Sequence, residues 1–264
     1  MSSAIFLPEH LRRIQNETFV TQVEFHRELP STNDRAVELI AEGRFSAPLL
    51  ILAERQTAGR GRGGNRWWSG PGALTFSLVL DAGALRLSAD RRPQISLTAG
   101  LGVCQALDEA LPNHKFGLKW PNDVFLGARK VCGILVDVPS QKPECLIVGI
   151  GINVNNSFQD APEELRPLAT SLADTTGERF DPAEVLIRVL LELARSLELL
   201  LGEQSALRSA WMSRCILHGR TVHLQSGPRM TVGVCRGIDI DGALLLETDS
   251  GMERALGGVI ARVE

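Results

Sequence analysis

Apolar positions along the first two thirds of the chain fall into short runs separated by turn residues. Residues 49–53 and 73–80 are apolar runs of strand length. Residues 130–138 and 145–154 form another such pair, and the proline-bounded segment 139–143 makes a hairpin connection between them. Residues 117–120 and 124–126 flank the turn sequence Pro121-Asn122-Asp123 as two further strands. Helical signals lie between these runs. Ser31-Thr32-Asn33-Asp34 supplies an N-cap before the amphipathic residues 36–41, and Gly43 is a stop signal. Residues 94–111 have helical periodicity, residues 182–201 form a helix with Pro182 at its start and Gly202 after its end, and residues 205–215 continue helical. Between 155 and 181 the pattern weakens into a polar stretch with Pro162, Pro167 and Gly177, which suits a long mobile surface loop holding one helical turn.

After His218-Gly219 the texture changes. Residues 221–224, 230–234, 243–247 and 253–256 are short strands punctuated by Gly227-Pro228, Asp241-Gly242 and Ser250-Gly251. Asp-Gly between strands is a strong hairpin signal. The tail reads as a small β-barrel of about 45 residues, too small to bury much alone, so it leans on the larger part. The expected division is residues 1–215 and 216–264.

Composition narrows the function. Apolar residues make up 44% of 264, enough to bury a core, and the net charge of −3 gives no global basic field to collect nucleic acid. No apolar run approaches the roughly 20 residues needed to span a bilayer. The start lacks the basic-then-apolar build of a secretory signal. Cys104, Cys132, Cys145, Cys215 and Cys235 are odd in number and without CxxC spacing, so they read as reduced thiols of a cytoplasmic protein rather than metal ligands.

Against that weakly acidic background one stretch stands out: Gly59-Arg60-Gly61-Arg62-Gly63-Gly64-Asn65-Arg66-Trp67-Trp68-Ser69 holds three arginines and no acid. Glycine lets a backbone turn tightly beside a ligand, and arginine forks match phosphate or carboxylate oxygens. The stretch reads as a loop closing over an anion attached to an aromatic base. A basic surface loop and a single-strand binder are its rivals. A P-loop is not, because Asn65-Arg66 stands where Gly-Lys-Ser/Thr is required, and the dinucleotide fingerprint fits poorly.

Three further segments carry chemistry. Lys119-Trp120-Pro121-Asn122-Asp123 puts a lysine, an amide and a carboxylate at one strand corner. Lys130-Val131-Cys132-Gly133-Ile134-Leu135 sets a lysine shortly before a glycine on an apolar strand, and Gly149-Ile150-Gly151-Ile152-Asn153-Val154 alternates glycine with aliphatic residues. Glycine inside a strand marks close approach by a ligand or another backbone. Taken singly, Lys130 reads as an edge charge, Asp123 as a turn-former and Asn153 as a local cap.

In combination, and with Ser31-Thr32-Asn33 and Gln56, these segments resemble the biotin–protein ligase family, in order and in spacing, over roughly residues 25 to 264. Arg236-Gly-Ile-Asp-Ile-Asp-Gly-Ala-Leu-Leu-Leu-Glu247 resembles that family's SH3-like C-terminal module. The resemblance implies an α+β fold, a mixed or antiparallel sheet with flanking helices of the class II synthetase-like kind, plus the small barrel. It implies ATP-dependent activation of biotin to biotinyl-5′-adenylate and transfer to one lysine of a biotin carboxyl carrier domain. It assigns Lys130, Arg62 and Asp123 to catalysis. Biotin falls to Ser31, Thr32, Asn33, Gln56, Gly59, Arg60, Gly61, Arg62, Lys130, Gly133 and Gly151, with Arg60 toward biotin and Arg62 toward phosphate. ATP falls to Arg62, Trp67, Lys119, Asn122, Asp123, Lys130 and Asn153, with Trp67 on the adenine. Mg²⁺ is expected with ATP, without a dedicated protein metal site.

The commonest family loop has arginine where Gly63 and Asn65 stand here, so a looser grip on the adenylate is expected. Only about 25 residues precede the resemblance, too few for the winged-helix DNA-binding domain that some members carry, so no DNA, no membrane and a monomer or homodimer are expected. Lipoate–protein ligase and a non-catalytic biotin- or nucleotide-binding regulator are the rival readings.

Overall fold

A computed structural model describes residues 5–264. Its larger part is a seven-stranded sheet. The strands are β1 (Gln22–Leu29), β2 (Leu49–Gln56), β3 (Leu74–Asp81), β4 (Phe116–Lys119), β5 (Asp123–Leu126), β6 (Arg129–Asp137) and β7 (Cys145–Ile152), in the order β1-β2-β3-β7-β6-β5-β4. Only β1 and β2 run parallel; the other neighbours are antiparallel. Alternation along the central strands divides their side chains between two cores. Leu50, Leu52, Phe76, Leu78, Val148 and Ile150 face a large cluster shared with α3 (Ile95–Ala110) and α5 (Pro182–Leu201). Leu49, Ile51, Val79 and Ile147 face a smaller one under α2 (Thr32–Ala41). Helices therefore cover both faces, which explains why these strands read as unbroken apolar runs.

α2 begins where its sequence signals it: the Ser31 hydroxyl accepts from the Asp34 amide. α5 is capped by Asp181, with Pro182 in its first turn. Two elements carry no strong sequence signal. α1 (Pro8–Glu17) and β1 precede the first predicted helix, and β1 alternates polar with apolar residues on the sheet's edge.

Residues 155–181 form a connection with the expected helical turn, but part of it is anchored inside the fold. They include α4 (Leu172–Thr176), and Asn156, Thr170 and Ser171 are fully buried. The Asn155 amide bonds the Phe180 backbone in both directions, Phe158 N donates to Asp174, and Lys130 exchanges backbone bonds with Leu168 and Thr170. Some polar residues here are internal anchors, while Gln159, Asp160, Glu163, Glu164 and Arg166 are exposed.

After α6 (Gln204–Met212) the tail forms a five-stranded antiparallel sheet, β8 (Thr221–Ser226), β9 (Arg229–Ile238), β10 (Leu244–Thr248), β11 (Gly251–Ala255) and β12 (Val259–Val263), in the order β11-β10-β9-β8-β12. β12 has no counterpart among the sequence-predicted strands. The tail leans on the larger part as expected. Gly242, with φ +84°, abuts Leu97, and the Trp120 indole donates to the Gly242 carbonyl at 3.1 Å. Among the described residues no helix is long and apolar enough to cross a membrane.

Candidate active site

The glycines of the sheet make room for a cleft. Gly133 on β6 pairs with Gly151 on β7, and Gly149 sits between Ser77 and Leu135. Their missing side chains let Asn33 and Trp67 lie against the sheet, and beside them is a cavity of about 180 Å³. Its wall brings together Ser31, Thr32, Asn33, Gln56, Arg60, Gly61, Arg62, Trp67, Lys119, Asn122, Asp123, Lys130, Gly133 and Gly151, fourteen of the sixteen residues singled out by the sequence. Gly59 and Asn153 do not reach it. Gly59 is tucked beneath the Trp67 backbone, where a Cβ would meet the Trp67 carbonyl at 2.8 Å. Asn153 is buried and its side-chain oxygen accepts from Asn156.

One end of the cavity is a hydrogen-bonded polar patch built on the first turn of α2. Gln56 Oε1 accepts from the Thr32 amide at 2.7 Å. The Ser77 hydroxyl lies 2.7 Å from Thr32 Oγ1 and 2.6 Å from Asn33 Oδ1. Thr32, Asn33 and Ser77 are buried, so the two Ser77 bonds are protected from water.

The other end is cationic. Lys130 Nζ stands 2.5 Å from Asp123 Oδ1. The register explains the meeting, since Asp123 pairs with Gly133 across β5 and β6. Arg62 is half-buried, and burial lowers its affinity for the proton while Asp123 opposes that effect. Burial likewise lowers Lys119, again opposed by Asp123. Five cations line the cavity, Arg60, Arg62, Arg66, Lys119 and Lys130, against Asp123 as its one acid. Such a wall attracts an anion and stabilises added negative charge.

Trp67 lies between the two ends. Its ring covers Gly133 and Gly151, with Lys130 Nζ 5.9 Å from the ring centre. Its indole Nε1 is buried with no partner among the described residues. The loop before it is an antiparallel bridge between Arg60 and Arg66, closed by Gly63 and Gly64 with φ of +65° and +82°. Only glycine takes that conformation readily, which gives Gly63 a backbone role where an arginine is common.

Sequence reasoning missed several wall residues. Gly149 belonged to a visible glycine alternation, and Arg66 to the loop itself. Gly258, Val259 and Ile260 come from the C-terminal tail. The Arg62 guanidinium donates to the Gly258 carbonyl at 2.8 Å, so the tail holds the loop's central arginine. The adjacent glycines Gly257-Gly258 were the one available signal.

The pattern of the biotin/lipoate A/B protein ligase family matches residues 25–153, and that of the biotin protein ligase C terminal domain matches residues 217–262. The chain is 34% identical to the biotin–[acetyl-CoA-carboxylase] ligase of Paracoccus denitrificans, across 84% of this chain and 93% of that one. This chain belongs to the biotin/lipoate A/B protein ligase family. It is also 32% identical to the bifunctional ligase/repressor BirA of Bacillus subtilis, across 91% of this chain and 74% of that one. The solved biotin protein ligase of Aquifex aeolicus in complex with biotin and ATP superposes with a TM-score of 0.80 at 33% identity, covering 92% of this chain and 99% of that chain. A ligase-family member needs a site for two anionic reactants, and the cavity has that character.

Proposed function

We propose that this chain is a biotin–protein ligase. It activates biotin with ATP to biotinyl-5′-adenylate and transfers biotin to a lysine of a biotin carboxyl carrier domain. One observation carries the reading: a cavity with five cations, one carboxylate and a polar patch, in a chain that matches the C-terminal domain pattern of biotin protein ligases. That tail match favours biotin over lipoate.

In the first step a biotin carboxylate oxygen attacks the α-phosphorus and pyrophosphate leaves. Two anions meet, so the barrier is mainly electrostatic. Lys130 and Arg62 are the cations we assign to the reacting oxygens, and Lys119 supports the phosphates. Ser31, Thr32, Asn33, Gln56, Arg60, Gly61, Gly133 and Gly151 are assigned to biotin. Trp67 is assigned to the adenine, with Asn122 beside the nucleotide. No group of three or more His, Cys, Asp or Glu that could hold a metal occurs among the described residues. The Asn122 side-chain oxygen would hold Mg²⁺ arriving on ATP, since the Asn122 amide nitrogen is committed to the Ile134 carbonyl at 2.7 Å. The ion would neutralise phosphate charge.

In the second step the acceptor amine attacks the acyl carbon and AMP leaves. Asp123 is the one acid on the wall, and we assign it the amine's proton. We place the division between the two modules at residues 215 and 216, within the cytoplasm of its host. ATP–pyrophosphate exchange measured with biotin and then with lipoate tests the reading. Exchange with biotin alone is expected. Exchange with lipoate alone, or none with either, refutes it.

A further inference from the structure

Asp137 ends β6 one layer behind the cavity wall and belongs to none of the motifs that carried the functional reading. Its Oδ2 accepts from Asn33 Nδ2 at 3.0 Å and from Arg60 Nη2 at 2.7 Å. Both donors line the cavity, and they come from different segments, the first turn of α2 and the Gly/Arg loop. One carboxylate thus joins two walls of the same end.

The chemistry of the contact is directional. An ionised carboxylate only accepts, so Asn33 must turn its nitrogen toward Asp137 and its oxygen toward Ser77. The distances agree: Asn33 Nδ2 also points at the Leu135 carbonyl at 3.5 Å, and Oδ1 lies 2.6 Å from the Ser77 hydroxyl. Ser77 has a single proton and Asn33 Oδ1 has none, so that proton is committed to the amide. Asn33 is only 4% exposed and Ser77 fully buried, so water cannot substitute for either bond. Arg60 has a second acid, Asp34, at 2.9 Å. That contact is about half exposed and does not touch Asn33, so it contributes little.

We propose that Asp137 is a positioning residue for the biotin end of the cavity: its carboxylate sets the orientation of the Asn33 amide and holds Arg60 against the same wall, and so governs biotin affinity without contacting biotin. The inference rests on the assignment of Ser31, Thr32, Asn33 and Gln56 to biotin. It separates Asp137 from Asp34, which lies equally near Arg60 but anchors nothing inside the cavity.

The test is ATP–pyrophosphate exchange with Asp137→Asn, Asp137→Ser, Asp137→Glu, Asp34→Asn and Asn33→Ala, with biotin and ATP varied separately and melting followed in parallel. Loss of one charge-assisted hydrogen bond at a partly exposed carboxylate raises the biotin KM by about tenfold. Asp137→Asn and Asp137→Ser show that rise while kcat and the ATP KM stay within about twofold. Asp137→Glu recovers most of the affinity, and Asp34→Asn stays near wild type. If Asp137→Asn does not fold, Asp137→Ser carries the same reading. An unchanged biotin KM in either variant overturns the proposal, as does an equal rise in the ATP KM. An unchanged biotin KM in Asn33→Ala overturns the biotin-end assignment itself, and the proposal with it.

Discussion

Gly149→Ala tests the biotin end at its most constrained point. A Cβ at residue 149 would lie 2.1 Å from Asn33 Oδ1, 2.9 Å from its Cγ and 3.0 Å from its Nδ2. A carbon–oxygen contact needs roughly 3.3 Å, so the amide must retreat by about 1 Å. It cannot retreat cheaply, because Ser77 holds one end at 2.6 Å and Asp137 the other at 3.0 Å. Either the two bonds break, at about 1–3 kcal/mol for each buried group left unpaired, or β7 shifts, at about 1–3 kcal/mol of overpacking. The melting temperature falls by roughly 2–4 °C for each kcal/mol. The same displacement distorts the wall, and the biotin KM rises by at least tenfold if about 1.4 kcal/mol of binding is lost. Gly133→Ala is the matched comparison. Its Cβ would lie 3.0 Å from Lys130 Nζ and 3.1 Å from Cε, the far end of a flexible side chain. The Trp67 ring at 3.2 Å must also give slightly, so the melting temperature falls less than in Gly149→Ala, and kcat falls because Lys130 moves. Exchange kinetics and thermal melting on the two variants separate these outcomes. Wild-type melting and biotin KM in Gly149→Ala would refute the reasoning, and so would identical kinetic changes in both.

Other expectations follow from single contacts. Asp123→Asn retains adenylate formation better than transfer, measured by single-turnover assays of each half-reaction; equal loss in both counts against Asp123 as proton acceptor. Burial makes Lys119 give up its proton below the ordinary lysine value of 10.5, so ATP affinity falls as pH rises through that lowered value, and Lys119→Arg flattens the fall in titrations of binding against pH. Stability runs the other way, because the unfolded chain holds this proton more tightly: it rises with pH in the window beneath 10.5, and Lys119→Met melts higher than wild type at neutral pH. Gly63→Arg slows release of biotinyl-adenylate, seen in the dissociation rate of the isolated complex, and lowers stability by about 1 kcal/mol because φ there is +65°.

Legibility in the sequence followed burial. The central strands sit between two cores, and their apolar runs announced them; α2 and α5 carried caps at both the expected positions. β1 lies at the sheet edge with most side chains half exposed, so its alternation of polar and apolar residues looked like no strand at all. α1 had Pro8 in its first turn and Leu11 and Ile14 at helical spacing, signals too few to stand out over ten residues. For the cavity, residue type and spacing located most of the wall because its chemistry is local to five motifs. Asp137 carried no signal and the Gly258–Ile260 edge only its adjacent glycines, because their roles exist through contacts 77 and 196 residues away in the chain, at Arg60 and Arg62.

The distribution of charge explains how a chain of net charge −3 can gather two anions. Lining the cavity are five cations and one carboxylate, and that carboxylate is paired with Lys130. The acids that restrain the loop, Asp34 and Asp137, stand outside the wall and touch Arg60 alone among the cations. Arg62 is held by the uncharged Gly258 carbonyl instead. An arginine paired with a carboxylate has much of its field cancelled, whereas one tied by a carbonyl keeps more of its field for an anion in the cavity. The two arginines of the loop therefore differ through their partners, and the C-terminal tail, by supplying a neutral acceptor to Arg62, is part of what keeps that side of the cavity positive.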